Sequence, residues 1–135
     1  MPEAAARNNL EIVGDAYRAF DAGDLDAVTA LMDDGIEWIE PEGLAVGGTH
    51  RGPGAVVEDV FGPTMAEFDG FEVEVERFVD GGDTVVALGT SHGTHRETGT
   101  SIDAPFAHVI DLADGRITRF QQHTNTYRWD RARGA

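Results

Sequence analysis

In the stretch Ile36-Glu37-Trp38-Ile39-Glu40-Pro41-Glu42-Gly43, strict alternation puts Ile36, Trp38 and Glu40 on one face of a strand that the proline then ends. A carboxylate in line with apolar side chains has two explanations. Glu40 either reaches water where the strand stops, or it lines a cavity and works there. A carboxylate suits proton transfer when it is ionised yet weakly solvated, and an apolar wall such as Trp38, one pleat away, raises a Glu pKa toward ~6 to 7.

The other residues with chemical potential are the histidines. His92 and His95 straddle Gly93-Thr94 near a strand end, and no carboxylate-rich triad spacing accompanies them, so they read as a solvated pair and no metal site is expected. His50, beside Arg51 and Gly52, sits in a loop where it is a candidate polar contact for a substrate. His108 follows Ala107, so ideal alternation sends it to the face opposite Ala107, where a histidine more often serves a subunit contact than a site, unless a bulge reverses it. Gly47-Gly48 and His50-Arg51-Gly52-Pro53-Gly54 are turns without phosphate-loop or dinucleotide spacing, and no serine lies in a nucleophile elbow.

Composition limits what these residues can serve. With 135 residues, 41% of them apolar, the chain fits one domain, 1–135, that buries roughly two-thirds of its unfolded surface and has room for one cavity. No apolar run approaches ~18 residues, and the segment MPEAAARNNLEI lacks a charged stretch followed by an apolar one. The expectation is a cytoplasmic protein. No cysteine is present, which excludes disulfides, thiolate nucleophiles and Cys-based metal sites. Twenty-five acidic residues against ten basic ones, all Arg, give a formal charge of -15, which repels nucleic acid and anionic membranes. The acidic, Lys-free composition resembles proteins of salt-loving archaea, in which molar salt shortens the screening length to ~3 Å. A GC-rich genome accounts for the missing Lys but not for the acid excess.

The elements that must position Glu40 run helices first, then strands. Leu10, Val13, Tyr17 and Phe20 recur at helical spacing up to Gly23, and Asp24 caps a second helix carrying Leu25, Val28, Leu31 and Met32, closed by Asp33-Asp34-Gly35. After the strand Ile36 to Glu40 and a loop, Pro53 starts a third helix with Val56, Val57, Val60 and Phe61, broken or kinked at Gly62-Pro63. Phe71, Val73 and Val75 oppose Glu72, Glu74 and Glu76 along a strand whose alternation fails at Phe78, predicting a bulge. Asp80-Gly81-Gly82-Asp83 turns into a further strand, and Ala113-Asp114-Gly115 separates strands of roughly 101–111 and 116–127. Three helices beside an antiparallel meander make an α+β domain, with residues 128–135 as a frayed tail.

Three segments in this order, AFDAGDLDAVTALMDDGIEWIEP, HRGPGAVVEDVF and APFAHVIDLADGRITRF, resemble the SnoaL-like and ketosteroid-isomerase-like proteins of the nuclear-transport-factor-2-like superfamily over about residues 8–127. The resemblance implies a cone-shaped roll: a curved, mostly antiparallel sheet wrapped around the helices, an apolar pocket at the open end, and a homodimer packed through the outer sheet face. It also aligns Glu40 with the isomerases' catalytic aspartate, which makes Glu40 the candidate general base. The isomerases' oxyanion tyrosine aligns with Ala16, with Tyr17 one residue off, and their oxyanion aspartic acid aligns with Ala107. Because one such donor is worth ~10²-fold or more in rate, ordinary steroid isomerisation is not expected.

In the last strand the resemblance puts Phe120, Gln122 and Thr124 on the pocket side. Asn125, unable to take a proton, falls near where polyketide cyclases carry an acid–base aspartate, so His123 and Asn125 remain only candidate polar contacts. Two readings stay open. In one, a cofactor-free enzyme uses Glu40 for isomerisation, cyclisation or hydration of a mostly apolar carbonyl compound, with Tyr17, Trp38, Phe61, Phe120 and Gln122 shaping the pocket. In the other, the cone is a non-catalytic ligand-binding or dimerisation module with Glu40 exposed.

Overall fold

Asn8 starts the first helix by a reciprocal cap. Its side chain accepts the Glu11 amide at 2.8 Å, and the Glu11 carboxylate accepts the Asn8 amide at 3.2 Å, opening α1 (Asn9–Asp21). The computed structural model describes residues 8–134, so the reading of the first residues as free of a leader lies mostly outside the described residues. Gly23, at φ +77°, lets the chain leave α1, and Asp24 caps α2 (Leu25–Ala30) by accepting the Ala27 amide at 3.1 Å.

Met32 is not in this helix as expected but opens β1 (Met32–Glu40), almost fully buried. The Leu31 carbonyl accepts the Ile117 amide at 2.9 Å, so backbone pairing with the last strand ends the helix early. Asp33-Asp34-Gly35 then form an irregularity within β1, between the pairs Met32–Ile117 and Glu37–Arg119. The expected loop after Pro41 contains a short edge strand, β2 (Gly48–Arg51), paired antiparallel to β1.

Pro53 begins α3 (Pro53–Val56), which widens into a π-helical stretch, Val57–Phe61, before α4 (Gly62–Glu67). Pro63 has no N–H and its ring crowds the preceding turn, and the wider winding absorbs the kink expected at Gly62-Pro63. The meander follows as β3 (Phe68–Asp80), β4 (Thr84–His95), β5 (Ser101–Ala113) and β6 (Arg116–Thr124). The sheet order is β2-β1-β6-β5-β4-β3, antiparallel throughout except for the β1–β6 pair. Glu76 is the extra residue of a bulge between the pairs Val75–Gly89 and Arg77–Leu88, where the alternation of β3 fails. A Cβ on Gly89 would lie 2.0 Å from the Glu74 carbonyl oxygen, so only glycine allows this close bend of the sheet.

The curved sheet wraps its inner face around the helices, giving the α+β cone. Val13, Val28, Val56 and Phe61 meet Ile36, Ile110, Ile117 and Phe120 in one buried cluster. The expected frayed tail is instead a helix, α5 (Thr126–Arg133), capped by Asn125 and ended by Gly134 at φ +89°. Trp129 and Ala132, three residues apart, bury themselves against Leu44, Phe68 and Ile102, and this contact orders the segment. Among the described residues, no helix is long and apolar enough to cross a membrane.

Candidate functional site

Four side chains from four elements form one hydrogen-bonded line inside the cone. Glu40, at the inward end of β1 and only 5% exposed, accepts Trp38 Nε1–H on Oε2 at 2.7 Å and Gln122 Nε2–H on Oε1 at 2.6 Å. An ionised carboxylate only accepts, so Gln122 must turn its amide nitrogen to Glu40 and its oxygen to His108. His108 Nε2–H therefore donates to Gln122 Oε1 at 2.9 Å, leaving Nδ1 as an acceptor for the Tyr17 hydroxyl at 2.5 Å. Strand register builds the row: Trp38 pairs with Phe120 and Ile39 with Gln121, which sets Glu40 level with Gln122, and Gln122 pairs with His108.

Burial decides the charges along this line. Desolvation raises Glu40 from 4.5 to about 7, outweighing the hydrogen bonds from Trp38 and Gln122 and the attraction of His50. Burial pushes His108 down to about 3 despite the Gln122 bond, so its imidazole is neutral. The Tyr17 phenol is held well above its ordinary range, first by burial and then by the Glu40 charge. Around them is an apolar cavity of about 930 Å³, its open mouth included, walled by Val13, Phe20, Phe61, Phe71 and Phe120 among others. Trp38 stacks on Phe120 with centroids 3.6 Å apart and meets Phe61 edge-on at 5.2 Å, which fixes the indole that holds Glu40.

Of the candidate residues, Glu40, Tyr17, Trp38, Phe61, Phe120 and Gln122 all line this cavity. His108 lines it too, which corrects its expected outward placement. The buried residues of β5 are Ile102, Ala104, Phe106, His108, Ile110 and Leu112, an unbroken alternation that turns Ala107 away and His108 in with no bulge. His50 lies on β2 outside the cavity wall and bonds the Val46 carbonyl through Nε2 at 2.7 Å. His123 and Asn125 are exposed and do not reach the cavity, and Thr124 spends its hydroxyl on the Pro105 carbonyl at 2.8 Å.

The expected solvated pair is also corrected. His95 is buried, with Nε2 3.0 Å from Glu67, and only His92 stays near solvent, between Glu74 at 2.9 Å and Asp103 at 2.6 Å. Among the described residues, no group of three His, Asp or Glu side chains is placed to hold a metal ion. Cavity residues missed in the sequence come from α4, α5 and β4: Glu67, Trp129, Arg133 and Ser91. Burial alone would raise Glu67, but the hydrogen bond and charge of Arg133 and the contact with His95 hold its carboxyl below the usual range. The signal for α5 was present, since Asn125 and Gly134 bracket Trp129 and Ala132 as caps bracket a helix.

The family model of the SnoaL-like domain matches residues 13–120. Among solved structures, an NTF2-like protein from Burkholderia thailandensis is 36% identical, with a TM-score of 0.92 over 95% of this chain and 98% of its own. An NTF2-like protein of unknown function from Burkholderia pseudomallei is 28% identical, with a TM-score of 0.85 over 96% of this chain and all of its own. TerC, co-crystallised with polyporic acid, is 25% identical, with a TM-score of 0.85 over 94% of this chain and 98% of its own. No curated protein sequence matches the chain significantly.

Proposed function

Since the chain belongs to the SnoaL-like family, we propose that it is a cofactor-free acid–base enzyme that moves a proton on a mostly apolar carbonyl compound, with Glu40 as the base. One observation carries this reading: a carboxylate in an apolar cavity, brought to about 7 by burial that outweighs its two neutral donors and the attraction of His50. A base near neutrality is ionised enough to accept a proton and basic enough to remove one. Each Glu40 oxygen uses one lone pair on Trp38 or Gln122 and keeps another for the substrate C–H. That the related TerC was co-crystallised with polyporic acid supports a small organic ligand in a pocket of this kind.

The hydrogen-bonded line offers a way to hold the resulting enolate without the isomerases' donor pair. The Tyr17 hydroxyl, which in the resting state donates to His108 Nδ1 at 2.5 Å, can instead turn its proton to the enolate oxygen in the cavity, with Gln122 and the His108 Nε2–H bond left as they are. Return of the proton from Glu40 to a different carbon completes an isomerisation.

Deuterium uptake at the carbon next to the carbonyl of 2-tetralone, followed by NMR in D2O, tests the reading. Wild type is expected to accelerate exchange, and Glu40→Gln to abolish the acceleration while still binding the ketone. Acceleration that survives Glu40→Gln refutes Glu40 as the base. A second reading, ligand binding without chemistry, is favoured by the fact that in the resting state the Tyr17 proton is committed to His108. Tight binding with no exchange in wild type selects it.

A further inference from the structure

The cavity is negative as well as apolar. Glu40 is 5% exposed, and the two hydrogen bonds it accepts come from a neutral indole, Trp38, and a neutral amide, Gln122. The titratable groups around it bring little positive charge. Burial keeps the His108 imidazole and the Tyr17 phenol neutral. His50, with Nε2 turned to the Val46 carbonyl, attracts Glu40 less than its two hydrogen bonds stabilise it, and burial outweighs all three. Carboxylates buried to this degree are usually met by a cation.

The remaining charges at the cavity do not supply one. Arg133 is the one cationic side chain lining it among the described residues, and its guanidinium is already engaged. Nε and Nη2 donate to the two Glu67 oxygens at 2.6 and 3.3 Å, and Nη1 reaches Asp130 at 3.4 Å. Two carboxylates against one guanidinium leave this end negative too. Much of the wall is aromatic carbon from Phe20, Phe61, Phe71, Trp38 and Trp129, and ring faces attract a cation. The formal charge of -15 draws cations toward the protein and holds acids away. The supply of acceptors narrows the kind of cation. A primary ammonium would bring three N–H donors into a largely apolar cavity. A tertiary ammonium brings one, and its alkyl groups pack against the rings.

We propose that the cavity binds a small tertiary ammonium ligand, its one N–H donated to the Glu40 carboxylate and its alkyl and aryl groups set against the aromatic wall. Such a ligand uses Glu40 as a counter-ion, needs no reaction and keeps a ketone out of the same place, which carries the use of the cavity beyond the proton transfer above.

Three probes of one size test this by NMR titration at pH 8: N,N-dimethylbenzylamine, which is cationic, N,N-dimethylbenzamide, which is neutral, and phenylacetate, which is anionic. Wild type is expected to bind the amine about tenfold more tightly than the amide, and phenylacetate more weakly than either. Glu40→Gln should bind amine and amide about equally. Lowering the pH from 8 to 6 protonates Glu40 in wild type and should weaken the amine by about tenfold while leaving the amide unchanged, a readout that needs no variant. Equal affinities of amine and amide for wild type, a preference for the amine that survives Glu40→Gln, or an amine affinity indifferent to pH overturns the proposal, and so does failure of all three probes to bind. Exchange of 2-tetralone is read separately. Ketone exchange without a preference for the amine refutes the ammonium site alone, and a preference for the amine without exchange refutes the base alone.

Discussion

Replacing Glu40 by Gln makes the cost of burying its charge measurable. A pKa raised from 4.5 to about 7 means that the folded protein holds a proton that the unfolded chain releases between those values. Stability therefore falls as pH rises through this window and levels off above it. At about 1.4 kcal/mol per unit, the loss is about 3 kcal/mol. Gln at 40 fits without leaving a buried group unpaired. Its oxygen takes the Trp38 N–H, its nitrogen meets the Gln122 oxygen once that amide turns, and His108 and Tyr17 reverse their donor and acceptor roles in sequence. The variant thus lacks the titration but keeps the network. Urea unfolding of both proteins at fixed high KCl from pH 4.5 to 8 isolates the effect. The stability of Glu40→Gln relative to wild type should grow by about 3 kcal/mol across the range and then stop growing. A difference that does not change with pH refutes the raised pKa, and with it the dry carboxylate on which the proposed chemistry stands.

Tyr17→Phe keeps the ring but leaves His108 Nδ1 buried without its donor, so it should lower the urea midpoint by an amount equivalent to about 1–3 kcal/mol. Trp129→Ala removes a 4%-exposed ring packed edge-on to Phe68 at 5.6 Å, and should cost about 3–5 kcal/mol in the same assay. A near-neutral result for Trp129→Ala would mean that α5 does not dock on the sheet. With a formal charge of -15, the melting temperature should rise with added KCl as self-repulsion is screened, and a flat response excludes charge repulsion as a determinant of stability. The His92 imidazole, raised first by its bond to Glu74 and also by Asp103, should titrate above 6.5 by NMR. The stabilisation it gives is then complete below 6.5 and lost as pH rises through the folded value.

Local signals were legible in the sequence because their physics is local. Asp24 was recognisable as a cap, Gly23 as a helix end, Phe78 as the mark of a bulge and Asp114-Gly115 as a tight turn, since each depends on a few neighbouring backbone groups. What the sequence hid depends on partners far along the chain. Met32 joins a strand because Ile117, 85 residues later, bonds the carbonyl just before it, and β2 exists only because Trp38 and Glu40 offer it an edge. Trp129 orders a polar, Arg-rich segment because Phe68 and Ile102 are waiting beneath it.

His108 is a different case, because its placement was readable and alignment obscured it. Ile102, Phe106, Ile110 and Leu112 occupy even positions, and a half-buried strand puts its apolar set inward, so His108 belongs with them. Aligning Ala107 with an inward catalytic residue required a one-residue slip that would have turned all four of those apolar side chains to the outside. Weighing one matched position against four buried ones resolves the matter from sequence alone. The consequence for function is direct. With Ala107 inward the site loses both isomerase donors and gains nothing. With His108 inward, a neutral imidazole connects Gln122 to Tyr17, and the ionised Glu40 carboxylate, which only accepts, sets the direction of the bonds along the line. No buried side-chain nitrogen or oxygen among the described residues lacks a partner, so reversing one bond in this line requires reversing the next. Glu40 and Tyr17 thus stand at the two ends of one hydrogen-bonded line through Gln122 and His108, although they lie in different elements.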